Sequence, residues 1–246
     1  MALITELRDQ GNWLFQHRSY LPILLLPLVI SGLLTERIFS NSSYYIVIFN
    51  WVCIGFSVLG FIMRAYTIGQ VPKRTSGRNT KKQIAEVLNT TGIYSVVRHP
   101  LYLGNFLMWM GVILFTRSIW VTIIFSLMFW VYYERIMYAE EAFLTEKFDQ
   151  DYIDWAKKTP PFFPRWKQYQ KSKLVFSWKN VLKREYSGFF GLVVSFVIII
   201  NLDKIFTAGK FTYDRNSMIV LLISFVIYLI LRVLKKYTKF FNVVGR

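Results

Sequence analysis

Hydrophobic positions in this chain come in long runs rather than in alternation. Apolar stretches near 20–35, 44–63, 101–116, 118–133, 187–201 and 217–233 are nearly free of charge. No run alternates strictly enough to read as a strand, and several approach the roughly 20 residues that cross a bilayer as helix. Flanking aromatics extend the shorter ones. The pattern predicts an all-α polytopic membrane protein with about six transmembrane helices. It shows no internal repeat and no low-complexity tract.

Charge orients the spans. Of the 30 Lys and Arg residues, only Arg37, Arg117, Lys204, Lys210 and Arg215 fall on one side of such a six-span topology. The other 25 share a side with both termini and with the 64–100 and 134–186 segments. The positive-inside rule then puts both termini in the cytoplasm. A net charge of +16 also suits a nucleic-acid binder, but 54% hydrophobic content and a mean hydropathy of +0.35 do not. The charge clusters at helix ends rather than on one soluble unit. Cys53 is the single cysteine, so no internal disulfide, zinc or iron–sulfur spacing exists and no metal is expected. The 20–35 run is followed by acidic and bulky residues, not by a signal-peptidase site.

The polar interruptions carry the candidate chemistry. Residues 1–18 read as a short amphipathic lead with Trp13 and Phe15. The first hairpin, 20–63, lacks polar groups and reads as scaffold. Residues 64–100 form a basic loop, in which Asn79 or Thr80 is expected to cap a short helix carrying Ile84, Val87 and Leu88 on one face. "YSVVRHPLYLG" (94–104) then sets Arg98-His99-Pro100 inside an apolar run. Proline suits a first helical turn. The free backbone N–H groups there, with Arg98, predict a cationic, donor-rich pocket at the membrane surface. A snorkelling arginine and an interfacial histidine would look the same in sequence.

The fourth helix leaves the membrane through Glu134, Arg135, Glu140 and Glu141. Helical spacing sends Glu140 and Glu141 in different directions, so one of them can face inward. "PPFFP" (160–164) breaks the helix and forces an aromatic loop. From Arg165 to Arg184 there are seven basic residues and no acidic one, interleaved with Trp166, Tyr169, Phe176 and Trp178. That mix predicts an interfacial segment on anionic lipid head groups, with no nucleic acid involved. The last hairpin, 187–233, is as bland as the first.

Taken together, Gly92, Tyr94, Arg98, His99, Pro100, Tyr102 and Gly104, then Glu140, Glu141, Leu144, Phe148, Tyr152, Trp155 and Pro164, resemble a known pattern. It is that of the membrane-embedded methyltransferases typified by isoprenylcysteine carboxyl methyltransferase and the phospholipid methyltransferases. The resemblance covers residues 60–166. It divides the chain into an N-terminal hairpin (1–63), a methyltransferase core (64–166) and a basic segment with a C-terminal hairpin (167–246). It implies S-adenosylmethionine as cofactor, held at the cytoplasmic membrane surface. By position, Glu86, Val87, Leu88, Asn89, Tyr94, Arg98, His99, Pro100, Leu101, Tyr102 and Glu140 would bind it. The isoprenylcysteine enzymes place an acceptor-side arginine four residues before the first glutamate. Here that position is Ile136, and Arg135 is the nearest arginine.

The implied reaction moves a methyl group to a lipid or lipidated acceptor. A carboxylate or phosphate is already ionised and needs no base. An ethanolamine nitrogen must first lose a proton, and Glu134 or Glu141 would take it. The basic loop and Arg135 favour the anionic acceptor. The Ile-, Lys-, Phe- and Asn-rich composition points to a bacterial inner membrane. Two other classes remain open: an NADPH-dependent sterol-type reductase, whose end is similar, and a lipid-binding scaffold without activity.

Overall fold

The computed structural model describes residues 2–20, 24–34, 43–72, 75, 83–243 and 245. Among these, seven α-helices carry the chain: α1 (Leu3–His17), α2 (Leu26–Leu34), α3 (Ser43–Gly69), α4 (Pro100–Leu114), α5 (Ile119–Lys158), α6 (Trp178–Ala208) and α7 (Arg215–Tyr237). No strand forms among the described residues, so the fold is all-α. Helices α3, α5, α6 and α7 are long and apolar enough to cross a membrane. Helix α4 is apolar but spans only about 22 Å at 1.5 Å per residue. The first expected span is described only as the nine-residue α2.

Helix α3 packs most extensively on α4, and glycine makes that possible. A Cβ added at Gly60 would lie 2.5 Å from the carbonyl oxygen of Gly104. One at Gly104 would meet the Arg64 side chain, and one at Gly111 would meet Ser57 and the Cys53 carbonyl. Lipid tails are as apolar as leucine, so membrane helices associate through such close backbone approach. Gly104 of the 94–104 motif is therefore a packing residue. Across the same seam Ser57 donates a 2.7 Å hydrogen bond to the Met108 carbonyl.

Helix α5 runs on well past its apolar half, kinking at Asp149 (φ 44°, ψ −121°). The N-terminal helix α1 docks against its polar half instead of lying free on lipid. Gly11 of α1 sits on the Arg135 carbonyl and Ala139, and Phe15 is buried. Helix α2 wedges between α5 and α6. On the face remote from His99, Arg117 in the α4–α5 turn pairs with Asp203 of α6 at 2.7 Å.

Two expectations about the 64–100 segment are corrected. Residues 83–90 are extended and bent rather than helical. A short helix without tertiary cover is marginal, and Ile84, Val87 and Leu88 instead fold over the cavity described below. The expected caps Asn79 and Thr80 lie outside the described residues. The N–H groups of Arg98 and His99 are not free for an anion either. They donate to the carbonyls of Pro160 and Pro161 at 2.9 and 3.2 Å. The proline-ended loop thus clamps the Arg-His-Pro segment, and Arg165 N–H returns a bond to the Val96 carbonyl.

Candidate active site

Pro100 opens α4 in its first turn, so His99 sits just outside the helix with non-helical backbone (φ −118°, ψ 61°). Two turns of chain earlier, Gly92 has φ 64° and ψ −136°, a conformation open only to glycine. This bend lets Gly92 pair with Gln170 and swings Tyr94 and Ser95 toward the bundle. The Ser95 hydroxyl then accepts from Gln170 N–H, and Trp155 Nε1 donates to the Tyr94 carbonyl.

His99 is 5% exposed and lies between the two glutamates of α5. Its Nε2 is 2.8 Å from Glu141 Oε1 and its Nδ1 3.6 Å from Glu140 Oε2. Tyr102 donates a 2.7 Å hydrogen bond to Glu140, and Arg98 stands 3.2 Å from Glu141. Burial by itself would push the His99 pKa down. The hydrogen bonds and charges of Glu140 and Glu141 outweigh it and hold the imidazole above its ordinary value. Nε2 is within hydrogen-bond distance of Glu141, whereas Glu140 faces Nδ1 at the longer range of a charge contact. The two glutamates do diverge: Glu140 faces a cavity, while Glu141 turns back to Arg98 and His99.

That cavity measures about 860 Å³. Its polar end is walled by Val87, Leu88, Asn89, Tyr94, Arg98, His99, Pro100, Leu101, Tyr102 and Glu140. Of the cofactor positions expected from the sequence, only Glu86 stays off its wall, exposed at the surface. The acceptor-side candidates fare differently. Arg135 Nε donates to Gln10 of α1 at 2.9 Å, in a shallow surface groove against α1, and Glu134 is exposed. The structure brings neither to the cavity: α1 covers the Arg135 face of α5, and Glu134 lies at the surface. Ile136 is fully buried in the core.

A second polar cluster was not anticipated. Arg64 grips Glu185 with two bonds, Nε to Oε2 at 2.9 Å and Nη2 to Oε1 at 2.8 Å. Its third nitrogen donates to Asn105 at 2.6 Å, and Asn105 donates to Tyr133 at 3.0 Å. All four side chains line the same cavity, as does Arg18, which stands 4.0 Å over the Phe15 ring. One signal pointed to Arg64: a lone charge next to "GFIM" in an apolar run marks function by default. Glu185 gave a weaker one, as the acid that ends the basic run.

The described residues hold no group of three or more His, Cys, Asp or Glu suited to a metal ion. They do suit a nucleoside cation. Glu140 offers a carboxylate, Tyr94 and Trp155 bring aromatic rings to the wall, and Gln83 Oε1 is buried there with no partner among the described residues.

Comparison with known proteins bears on the family. Residues 48–151 match the family described as phospholipid methyltransferase. The chain is 31% identical over 166 residues to the cobalt-zinc-cadmium resistance protein CzcN of Cupriavidus metallidurans, covering 66% of this chain and 71% of that one. It is 30% identical over 118 residues to protein-S-isoprenylcysteine O-methyltransferase of Schizosaccharomyces pombe, covering 48% and 50%. The corresponding Saccharomyces cerevisiae enzyme is 37% identical over 79 residues, covering 32% and 33%. The chain thus spans half or less of these two named enzymes. No solved structure matches it. The motif, the helical fold and the relatives together make this chain a member of the phospholipid and isoprenylcysteine methyltransferase family of integral membrane enzymes.

Proposed function

We propose that the protein transfers a methyl group from S-adenosylmethionine to a lipid or lipidated acceptor at the cytoplasmic surface of the membrane, with an anionic carboxylate or phosphate oxygen as nucleophile. One observation carries the reading. The 94–102 segment and Glu140 meet at the polar end of a cavity whose far end is apolar and lies among membrane-spanning helices.

Bound there, S-adenosylmethionine supplies a methyl group on a sulfonium, which any aligned nucleophile can attack. The residues hold and align more than they move protons. Glu140, fixed by Tyr102 and His99, presents negative charge to the cofactor cation. Val87, Leu88 and Asn89 fold over the same end. In-line transfer draws most of its rate from such positioning. Val87–Asn89, Tyr94, Arg98–Tyr102 and Glu140 are the proposed cofactor residues; Glu86 is dropped from the set.

Neither glutamate considered as base for an amine acceptor is free at the cavity, which supports the anionic acceptor. Glu134 is exposed outside the cavity, and Glu141 is engaged by His99 and Arg98. An ethanolamine nitrogen would need one of them, whereas an ionised oxygen needs neither. Exposed Trp166 and Trp178, among the lysines of 165–184, suit anionic lipid head groups and the cytoplasmic side.

The test is methyl transfer from labelled S-adenosylmethionine into a total lipid extract by the purified protein. Label in an organic-phase species with a base-labile methyl ester or phosphate ester supports the proposal. Label on phosphatidylethanolamine nitrogen replaces the acceptor. No label and no calorimetric binding of the cofactor redirects the reading to NADPH reduction.

A further inference from the structure

Arg18 stands where the polar end of the cavity gives way to its apolar part. It opens the short turn after α1 (Arg18–Tyr20), and it lines the cavity together with Phe15 and Ser19. Ser19 and Tyr20 are exposed, so this turn forms part of the cavity rim. The Arg18 charge acts on Glu140 and Tyr102 at the polar end, and on Tyr133 deeper in. Tyr133 and Glu140 lie two turns apart on one stripe of α5, about 10 Å along its axis. Tyr102 spans the interval, bonded to Glu140 and with its ring centre 5.0 Å from that of Tyr133.

The helix that presents Arg18 is held firmly. Arg8 pairs with Glu146 at 2.6 Å, Gln83 donates to Asn12 at 3.3 Å, and the Tyr132 hydroxyl donates to the Leu14 carbonyl at 3.1 Å. Buried Phe15 then supports the guanidinium, whose carbon lies 4.0 Å from the ring centre. An arginine over a ring uses its plane for the stack and its N–H edge for a carboxylate or phosphate.

An oxyanion entering this cavity meets Glu140, and like charges repel. The other cations on the wall already face acids. Arg64 grips Glu185, Arg98 faces Glu141, and His99 lies between Glu140 and Glu141. Arg18 adds a positive charge beyond these pairs, from a helix outside the family-matched residues 48–151.

We propose that Arg18 binds the carboxylate or phosphate of the methyl acceptor and so selects anionic acceptors over neutral ones. The proposal rests on the methyl-transfer reading above. It gives α1 the acceptor-side role that sequence position alone offered to Arg135. Arg18 moves no proton; it offsets the Glu140 charge and seats the oxyanion. Its loss therefore shows in acceptor affinity rather than in turnover at saturation. A cation at the end of a helix is favoured whatever it binds, so Arg18→Lys separates the fork from the charge.

The experiment titrates full-length protein in detergent with oleoyl lysophosphatidic acid and with monooleoylglycerol, which carries the same chain without the phosphate. Arg18→Ala should weaken the phosphate lipid about tenfold or more, as loss of a bond to a charged group does. Arg18→Lys should recover part of that loss. Affinities for monooleoylglycerol and S-adenosylmethionine should not fall in either variant, which also reports folding; Arg18→Gln serves as a second variant should Arg18→Ala fail to fold. With labelled S-adenosylmethionine, Arg18→Ala should need about tenfold more lipid extract for half-maximal labelling, at an unchanged saturating rate. Equal loss for both lipids, no loss for either, or a loss confined to S-adenosylmethionine would overturn the proposal even where lipid is methylated. Phosphate-lipid binding that depends on Arg18, with no label reaching any lipid in the unaltered protein, would retain the anion site and remove the methyl-transfer reading.

Discussion

Tyr102 and Glu140, on different helices, meet through a 2.7 Å hydrogen bond from phenol to carboxylate. The bond ties α4 to α5 where both reach the polar end of the cavity. Hydrogen bonds to a charged group contribute about 1.5–3 kcal/mol. Tyr102→Phe is therefore expected to weaken cofactor binding by roughly tenfold or more, since 1.4 kcal/mol is tenfold. Glu140→Ala, which removes the charge as well, should cost more than Glu140→Gln. Calorimetric titration with S-adenosylmethionine measures both, and unchanged affinity in Glu140→Ala would remove it from the site.

His99 makes stability depend on pH above the unfolded imidazole value. Its folded pKa is raised, so the imidazolium's contribution to stability is complete below the unfolded value of about 6.5 and is lost as pH climbs through the folded value. The melting temperature in detergent should fall as pH rises above about 6.5. His99→Asn should flatten that part of the profile. An identical pH profile in the variant would show that the ion pairs with Glu140 and Glu141 carry no such linkage.

The Arg64–Glu185 pair should behave as a unit. Removing one partner of a buried pair costs about 3–5 kcal/mol, because a charge is left without compensation. Arg64→Met and Glu185→Leu are each expected to lower the unfolding midpoint sharply. The double variant should recover most of that loss, as apolar replacements of whole pairs often do. Additive losses in the double-mutant cycle would argue that the two residues are not coupled.

Arg135 is expected to be dispensable for chemistry. It is bonded to Gln10 and to the Val131 carbonyl, away from the cavity. Arg135→Ala should leave lipid turnover and cofactor affinity within about twofold, since exposed polar contacts contribute roughly 0–1 kcal/mol. A selective loss of lipid turnover would restore it as the acceptor-side arginine.

Glycine seams supply a control on folding. Gly111→Leu must displace Ser57 and the Cys53 backbone, whose atoms lie 2.2 and 2.3 Å from an added Cβ. Loss of folded protein is expected, with a drop of several kcal/mol or more for overpacking at backbone. Gly191→Leu, which meets nothing, should fold normally. Comparing their yields and size-exclusion profiles separates glycines that packing requires from those it does not.

What the sequence by itself determined was the solvent and the motif. Long apolar runs need a bilayer, and the order Gly92-Tyr94-Arg98-His99-Pro100 before Glu140-Glu141 marks the family, because both signals are local in the chain. Helical period also showed that Glu140 and Glu141 diverge. Tertiary structure decided what each local signal does. It bound the Arg98 and His99 amides to Pro160 and Pro161, covered the Arg135 face of α5 with α1, and joined Arg64 to Glu185 across 121 residues. It also turned the bland helix α6 into a cavity wall. The reason is physical: a charge in an apolar run must find a partner, and lipid offers none. Which partner it finds depends on how helices distant in sequence pack, and a one-dimensional pattern carries no record of that.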